Sequence, residues 1–259
     1  MSMLRTVLLL GLLLLLAGCQ VSGCGTASAP APSARDAVAE AGAAQVLERA
    51  RMLYSGEERP FIAEMDYDTI IATLRNGVAQ YPQASLAPQL QLMLANVCME
   101  KRKYLNNKEL TVFQNVSEHE VLARVQGTTT GKSTYAEGMR FAQPFDEAIA
   151  AYEQVFTQWP QSSEAQQALV KLAQLHEATY NPRRELQKAL WCYQKFLTDY
   201  PRGTAADYVL FSMGSTYREL GNVPQAVAMY QRLLQEYPQF SPVMAGMARN
   251  YIAQHTVSP

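Results

Sequence analysis

From Ala43 to His255 the apolar residues recur at three- and four-residue spacing, the period of helices that bury one face. Val46, Leu47, Ala50, Leu53 and Tyr54 mark a first helix, and Ile70, Ile71, Leu74 and Val78 a second. Leu90, Leu94, Ala95 and Cys98 mark a third; Ile149, Tyr152, Val155 and Phe156 a later one; Leu169, Leu172, Ala173 and His176 the next. Leu190, Tyr193, Phe196 and Leu197 follow, then Leu210, Met213, Gly214 and Tyr217, then Val227, Tyr230, Leu233 and Leu234, and finally Val243, Met247 and Tyr251. No stretch alternates with the two-residue period of a strand, so the pattern predicts an all-α fold.

A second regularity is laid over the first. Ala148, Tyr152 and Trp159-Pro160 recur as Ala189, Tyr193 and Tyr200-Pro201, and again as Ala226, Tyr230 and Tyr237-Pro238, with the alanine 12 residues before the proline each time. Ile70, Leu74 and Tyr81-Pro82 form a degenerate earlier copy. Recurrence at a fixed offset is the mark of a repeat array. Each aromatic-proline pair predicts a helix end, because the residue before proline is pushed out of the α region. Gly221-Asn222 with Pro224, and Ser241-Pro242, place stops and starts where helix ends need them.

The repeats resemble tetratricopeptide repeats, best over Asp207 to Phe240, where Leu210, Met213, Gly214 and Tyr217 precede Ala226, Tyr230 and Pro238. That resemblance implies an α-solenoid of about four helix pairs plus a C-terminal capping helix. It also implies an inner face lined by the first helix of each pair, here Met93 and Asn96, Lys171 and Gln174, and Phe211, Ser215 and Arg218, that binds a peptide or partner protein. The spacing from small residue to alanine is 12 from Gly214 to Ala226, 16 from Ala173 to Ala189, and 53 from Ala95 to Ala148. About residues 103–143 are therefore an insertion between the helices of the second repeat. Ser117 with Glu120 reads as a capping box opening a short helix within it, and 135–142 as a further helix.

The N-terminus adds an address. Arg5 and the leucine-rich Val7 to Leu16 form a signal-peptide pattern too short to span a bilayer comfortably. Leu16-Ala17-Gly18-Cys19 resembles the lipobox of bacterial lipoproteins. The resemblance implies removal of residues 1–18, acylation of Cys19 by palmitate-type chains, and, with Gln20 next, the periplasmic face of the outer membrane in a diderm host. Ala, Pro, Ser and Gly dominate the stretch after Cys19, so residues 19–42 are expected to be a disordered tether and 43–255 the repeat domain.

Lipobox, helix pairs and insertion together resemble the BamD-like component of the outer-membrane β-barrel assembly machinery, which usually has five repeats and a shorter insertion. The repeats also resemble the CpoB-like protein of the Tol–Pal system and accessory lipoproteins of secretion or cell division. Partner and membrane are thus expected to be an envelope protein or peptide segment and the lipid-anchored bilayer.

Composition narrows the chemistry. A net charge of −1 gives nucleic acid no purchase. His119, His176 and His255 stand far apart, so neither metal nor cofactor is expected. Glu64, Asp66 and Asp68 suit a helix N-terminus, and Lys101-Arg102-Lys103 a helix C-terminus. Gly127 to Ser133, Gly-Thr-Thr-Thr-Gly-Lys-Ser, misses the phosphate-loop spacing by one residue and reads as a polar loop. No nucleophile stands with a base, so catalysis and a small-molecule substrate are not expected. The alternative class is an envelope enzyme or nucleotide binder using the 103–143 insertion. Cys98 and Cys192 fall in different repeats, as small buried thiols or a bridge.

Overall fold

The computed structural model describes residues 34–55, 65–124 and 142–256, with 109–124 as helical backbone alone. The signal sequence, Cys19, the tether up to residue 33, Glu64, residues 127–133, and 135–141 of the expected further helix lie outside the described residues. Within them the chain forms α1 (Ala34–Ser55), α2 (Tyr67–Gln80), α3 (Ala87–Arg124), α4 (Asp146–Gln158), α5 (Ser163–Glu177), α6 (Leu186–Asp199), α7 (Ala206–Glu219), α8 (Val223–Glu236) and α9 (Pro242–Thr256). Each helix packs on the next, and α3 also touches α1 and α5. Nearest-neighbour packing of this kind is an α-solenoid, here of four helix pairs (α1/α2, α3/α4, α5/α6, α7/α8) closed by α9.

The aromatic-proline pairs end four helices in one geometry. Tyr81, Trp159, Tyr200 and Tyr237 follow the last residue of α2, α4, α6 and α8, with φ from −124° to −131° and ψ from 50° to 66°. Each donates its N–H to the carbonyl four residues back, on Gly77, Val155, Phe196 and Leu233 respectively. Each then accepts, on its own carbonyl, the N–H three residues on, from Ala84, Ser162, Gly203 and Phe240. One sequence pattern thus satisfies the same orphaned groups four times. The degenerate Tyr81-Pro82 copy is structurally the equal of the others.

Between turns, the recurring alanine and tyrosine are core. Ala148, Ala189 and Ala226 are at most 1% exposed, and Tyr152, Tyr193 and Tyr230 at most 2%. In the fourth pair the tyrosine packs against the first helix at a small residue: a Cβ on Gly214 would lie 2.5 Å from the Tyr230 ring. Glycine permits an approach there that any side chain would obstruct. Ile70 and Leu74, in the alanine and tyrosine places of the first pair, are equally buried.

Three boundaries differ from the expectation. Helix α1 begins at Ala34, so residues 34–42, expected in the tether, are ordered helix. Alanine-rich sequence has the highest helix propensity without needing an apolar stripe, and this turn is anchored, with Glu40 accepting from the Ser85 N–H (2.6 Å) and hydroxyl (2.8 Å). Helix α3 runs 38 residues without a break, so 103–124 of the insertion extend the first helix of its pair. No helix starts at Ser117, which sits inside a helix already running, with neither glycine nor proline from 103 to 124 to stop it. Lys101-Arg102-Lys103 consequently lies mid-helix; Lys101 reaches Asp68 of α2 at 2.6 Å and Lys103 sits 4.8 Å over the Tyr180 ring.

The excursion is clamped at its base. The Asn106 side chain both donates to the Gln143 carbonyl and accepts from its N–H, each at 3.0 Å. Helix α4 starts just beyond, so α3 past Asn106 outruns its pair by roughly 27 Å, at about 1.5 Å per residue. Cys98 and Cys192 are both free and buried, each thiol pushed up to about 12 first by burial.

Candidate functional site

Two depressions lie side by side between α5 and α7. The first, of about 450 Å³, is lined by Ser163, Gln166, Gln167, Val170, Lys171 and Gln174 of α5 and by Thr204, Ala205 and Tyr208 at the start of α7. The second, of about 620 Å³, is lined by Gln174, Glu177, Tyr180, Arg184, Ser215, Thr216, Arg218 and Glu219, with Ala178. Gln174 belongs to both, so they form one groove along the first helices of the third and fourth pairs. Residues 166, 170 and 174 are four apart and residues 167, 171 and 174 four and three apart, which puts them on one face of α5.

The groove is polar and held in shape by internal bonds. Gln174 Nε2 donates to Tyr208 Oη at 2.8 Å, tying α5 to α7. Glu177, the last residue of α5, accepts from Tyr193 Oη (3.0 Å) of its own pair, and Thr216 Oγ1 of the next lies 3.1 Å from its other oxygen. Burial raises the Glu177 carboxyl above its ordinary value, against the lowering effect of those hydroxyls and of Arg184. Arg184 donates to the Glu177 carbonyl at 2.6 Å and pairs with Glu219 at 2.5 Å. Lys171 and Arg218, both exposed, make no direct ion pair among the described residues, although Arg218, after Arg184, helps hold the Glu219 carboxyl below its ordinary value. Arg218 is 5.9 Å from the Tyr251 ring. Beside the carboxylates of Glu177 and Glu219, the groove therefore offers two exposed cations outside any direct ion pair, three primary amides and several hydroxyls, groups that can pair with the backbone of an extended chain and with carboxylates it carries.

The wall at one end is the turn from Ala178 to Glu185, longer than its counterpart in the fourth pair, where α7 passes to α8 through Leu220, Gly221 (φ 73°) and Asn222. Asn181, 3% exposed, fills this longer turn, donating to the Leu175 carbonyl (2.9 Å) and accepting from the Arg183 N–H (3.0 Å). Tyr180 packs on Phe145 at 5.7 Å and Arg183 holds both Asp146 oxygens at 2.9 and 3.0 Å, so the turn also braces the start of α4. Beneath it His176 is 4% exposed, its Nδ1 without a hydrogen-bond partner among the described residues. Burial first, then Lys188, hold its imidazole below its usual value, with Glu185 opposing.

The structure gathers four of the residues predicted from the repeat pattern, Lys171, Gln174, Ser215 and Arg218, along this groove. The other three are placed differently. Asn96 accepts from Tyr152 Oη at 2.7 Å and serves the junction within its own pair. Ser215, though on the groove wall, shares a hydrogen bond with the Tyr230 hydroxyl at 3.0 Å. Phe211 packs on Tyr230 (5.8 Å) and Phe240 (5.9 Å), and Met93 is partly buried against the core. The sequence reading missed Glu177, Tyr208, Tyr180 and Arg184. Glu177 was within reach of it: it stands four residues after Ala173, one turn along from Gln174. His119 has no described side chain, and Asp66 caps α2 by accepting from the Thr69 N–H (3.0 Å) and hydroxyl (2.6 Å).

Residues 208–239, which hold most of α7 and all of α8, match the family described as tetratricopeptide repeat. No curated protein matches the chain. Among solved structures, a thermophilic tetratricopeptide-repeat protein of Thermus thermophilus is similar over 82% of this chain and 99% of its own, at 14% identity and a TM-score of 0.34. Over the described residues the chain is an all-α solenoid, and the stretch that matches the tetratricopeptide-repeat family lies in its fourth helix pair, a fold of the kind that serves as a protein-interaction scaffold.

Proposed function

We propose that this chain is a non-enzymatic envelope scaffold, anchored to the outer membrane through lipid on Cys19, that captures an extended acidic segment of a partner protein in the α5/α7 groove. The observation that carries this reading is the placement of Lys171 and Arg218, both exposed and outside any direct ion pair among the described residues, on a groove made continuous by Gln174. A preformed groove binds an extended chain without first having to order itself. The lipobox at Leu16 to Cys19 supports the anchor, and the combination of lipobox, helix pairs and insertion supports a place in outer-membrane protein assembly.

The test is capture in intact cells. A photo-crosslinking residue at Gln174 is expected to trap an outer-membrane protein or assembly component, while the same residue at Trp191, exposed on α6, traps none. Cys19→Ser is expected to release the protein from the membrane. Capture of no envelope protein from Gln174 would remove the groove from the account, and membrane retention of Cys19→Ser would remove the anchor.

A further inference from the structure

The turn that walls the groove takes up four successive carbonyls at the end of α5. Asn181 Nδ2 donates to the Leu175 carbonyl (2.9 Å), the Glu185 N–H to that of His176 (2.9 Å), Arg184 Nε to that of Glu177 (2.6 Å) and the Asn181 N–H to that of Ala178 (3.0 Å). The fourth pair closes α7 through backbone N–H groups instead, from Leu220, Gly221 and Asn222 onto Thr216, Arg218 and Tyr217. Beneath the longer turn sits His176, 4% exposed, its Nδ1 without a partner among the described residues. Three residues on from the small residue of each first helix, the same position is Cys98 in α3 and Tyr217 in α7. The imidazole therefore belongs to the third pair, as the long turn does.

The charges around it give a proton little to pair with. From α6, Lys188 opposes a proton there and Glu185 favours one, but those two are exposed and paired with each other at 2.8 Å. In the turn, Arg183 is bound to Asp146 of α4 and Arg184 to Glu219 of α7. Glu177, next along α5, holds Tyr193 of α6 and Thr216 of α7, while Lys103 of α3 lies over Tyr180 and 3.6 Å from Glu100. The four carbonyls at the helix end are already taken by the turn. Burial first, then Lys188, accordingly hold the imidazole below its ordinary value. A buried cation without an acceptor is destabilising until water reaches it. Water enters most easily where the cover is irregular chain rather than packed helix.

We infer that the 178–185 turn is a proton-operated wall of the groove: a proton on His176 lifts the turn from the end of α5, and Ala178, Tyr180 and Arg184 leave the groove with it. The bracing of α4 by Arg183 and Tyr180 is released in the same step. The turn of the fourth pair, with no imidazole beneath it, stays closed. That the movement releases a bound segment rests on the α5/α7 groove being the binding site.

Backbone hydrogen exchange of the full chain in a mild detergent, corrected for the intrinsic rate, reads the opening at Asn181 and Glu185, whose N–H groups hold the turn. From pH 7.5 to 5.5 their protection is expected to fall up to about tenfold, the ratio that one imidazole of ordinary value in the open state gives. Asn222, in the turn of the fourth pair, is expected to keep its protection, and His176→Leu to abolish the fall. Protection independent of pH, a fall shared by Asn222, or an equal fall in His176→Leu would each overturn the proposal. Titration of the ring by NMR decides the matter in the parent chain alone: an imidazole that takes its proton while Asn181 and Glu185 stay protected overturns it as well. Capture from a crosslinker at Gln174, expected to drop over the same range, separates the two readings. Capture at neither pH removes the groove, and equal capture at both while the turn opens removes the wall from binding.

Discussion

The second and fourth pairs solve the same problem with different residues. In each, a buried tyrosine of the second helix shares a hydrogen bond through its hydroxyl with a polar residue of the first, Tyr152 with Asn96 and Tyr230 with Ser215, and the Tyr230 ring lies against Gly214. The fourth brings its helices close enough to need glycine, while the second has the buried Ala95 at the corresponding position and uses a longer polar side chain. Outside this junction they diverge. Helix α7 ends after 14 residues at a left-handed Gly221, whereas α3 continues for 38. The comparison teaches that three positions fix a pair, and that length beyond them is free to vary.

Removing the ring from either junction gives the largest effect. Tyr152→Ala and Tyr230→Ala are each expected to cost about 3–5 kcal/mol, as for other fully buried aromatics, in denaturant unfolding. A small loss in one and a large loss in the other would break the equivalence. Exchanging the small residues sharpens it. Gly214→Ala is expected to cost about 1–3 kcal/mol because the added methyl strikes a packed ring, outweighing the helix propensity gained. Ala95→Gly is expected to cost about 1 kcal/mol through helix propensity. Equal stability of Gly214→Ala and parent would mean that the fourth pair tolerates the wider spacing. Tyr152→Phe and Tyr230→Phe, which remove the hydroxyl's bond to Asn96 and to Ser215 respectively, are expected to cost about 0.5–1.5 kcal/mol.

The smallest effect lies in the third pair, which has neither arrangement and hands its tyrosine to Glu177. There burial first, then Lys188, hold the His176 imidazole below its ordinary value, whereas in the unfolded chain it takes a proton near that value. The folded state therefore binds fewer protons, and stability is full above about pH 6.5 and falls as pH drops below it. Glu177 works in the opposite sense: its raised carboxyl favours the folded state in acid, and that contribution is lost as pH rises through its folded value. His176→Leu is expected to flatten the loss of thermal midpoint between pH 7 and 5.5 relative to parent, with the Glu177 contribution common to both. Parallel curves would show that the imidazole is not the source.

Much of the fold was legible in the sequence because proline, aromatic and alanine recur at fixed offsets, and each has one physical job. Where the signal was a propensity rather than a pattern, it was missed. Ala34 to Gly42 carries no apolar stripe, so its alanines read as linker. Likewise Ser117 and Glu120 look like a helix start although nothing before them stops a helix. At the groove, register located Lys171, Gln174, Ser215 and Arg218, but register cannot say what a side chain is spent on. Asn96 goes to Tyr152, and Phe211 to Tyr230 and Phe240. Glu177 escaped notice because its value comes from Tyr193 and Thr216, on two other helices.

The groove itself is tested most directly by reversing its two exposed cations. In the Lys171→Glu/Arg218→Glu chain, capture of partner from a crosslinker at Gln174 is expected to fall at least tenfold, a ratio worth about 1.4 kcal/mol. The thermal midpoint is expected to stay at the parent value, since both side chains are exposed. Undiminished capture by this stable variant would contradict recognition of an acidic segment between α5 and α7.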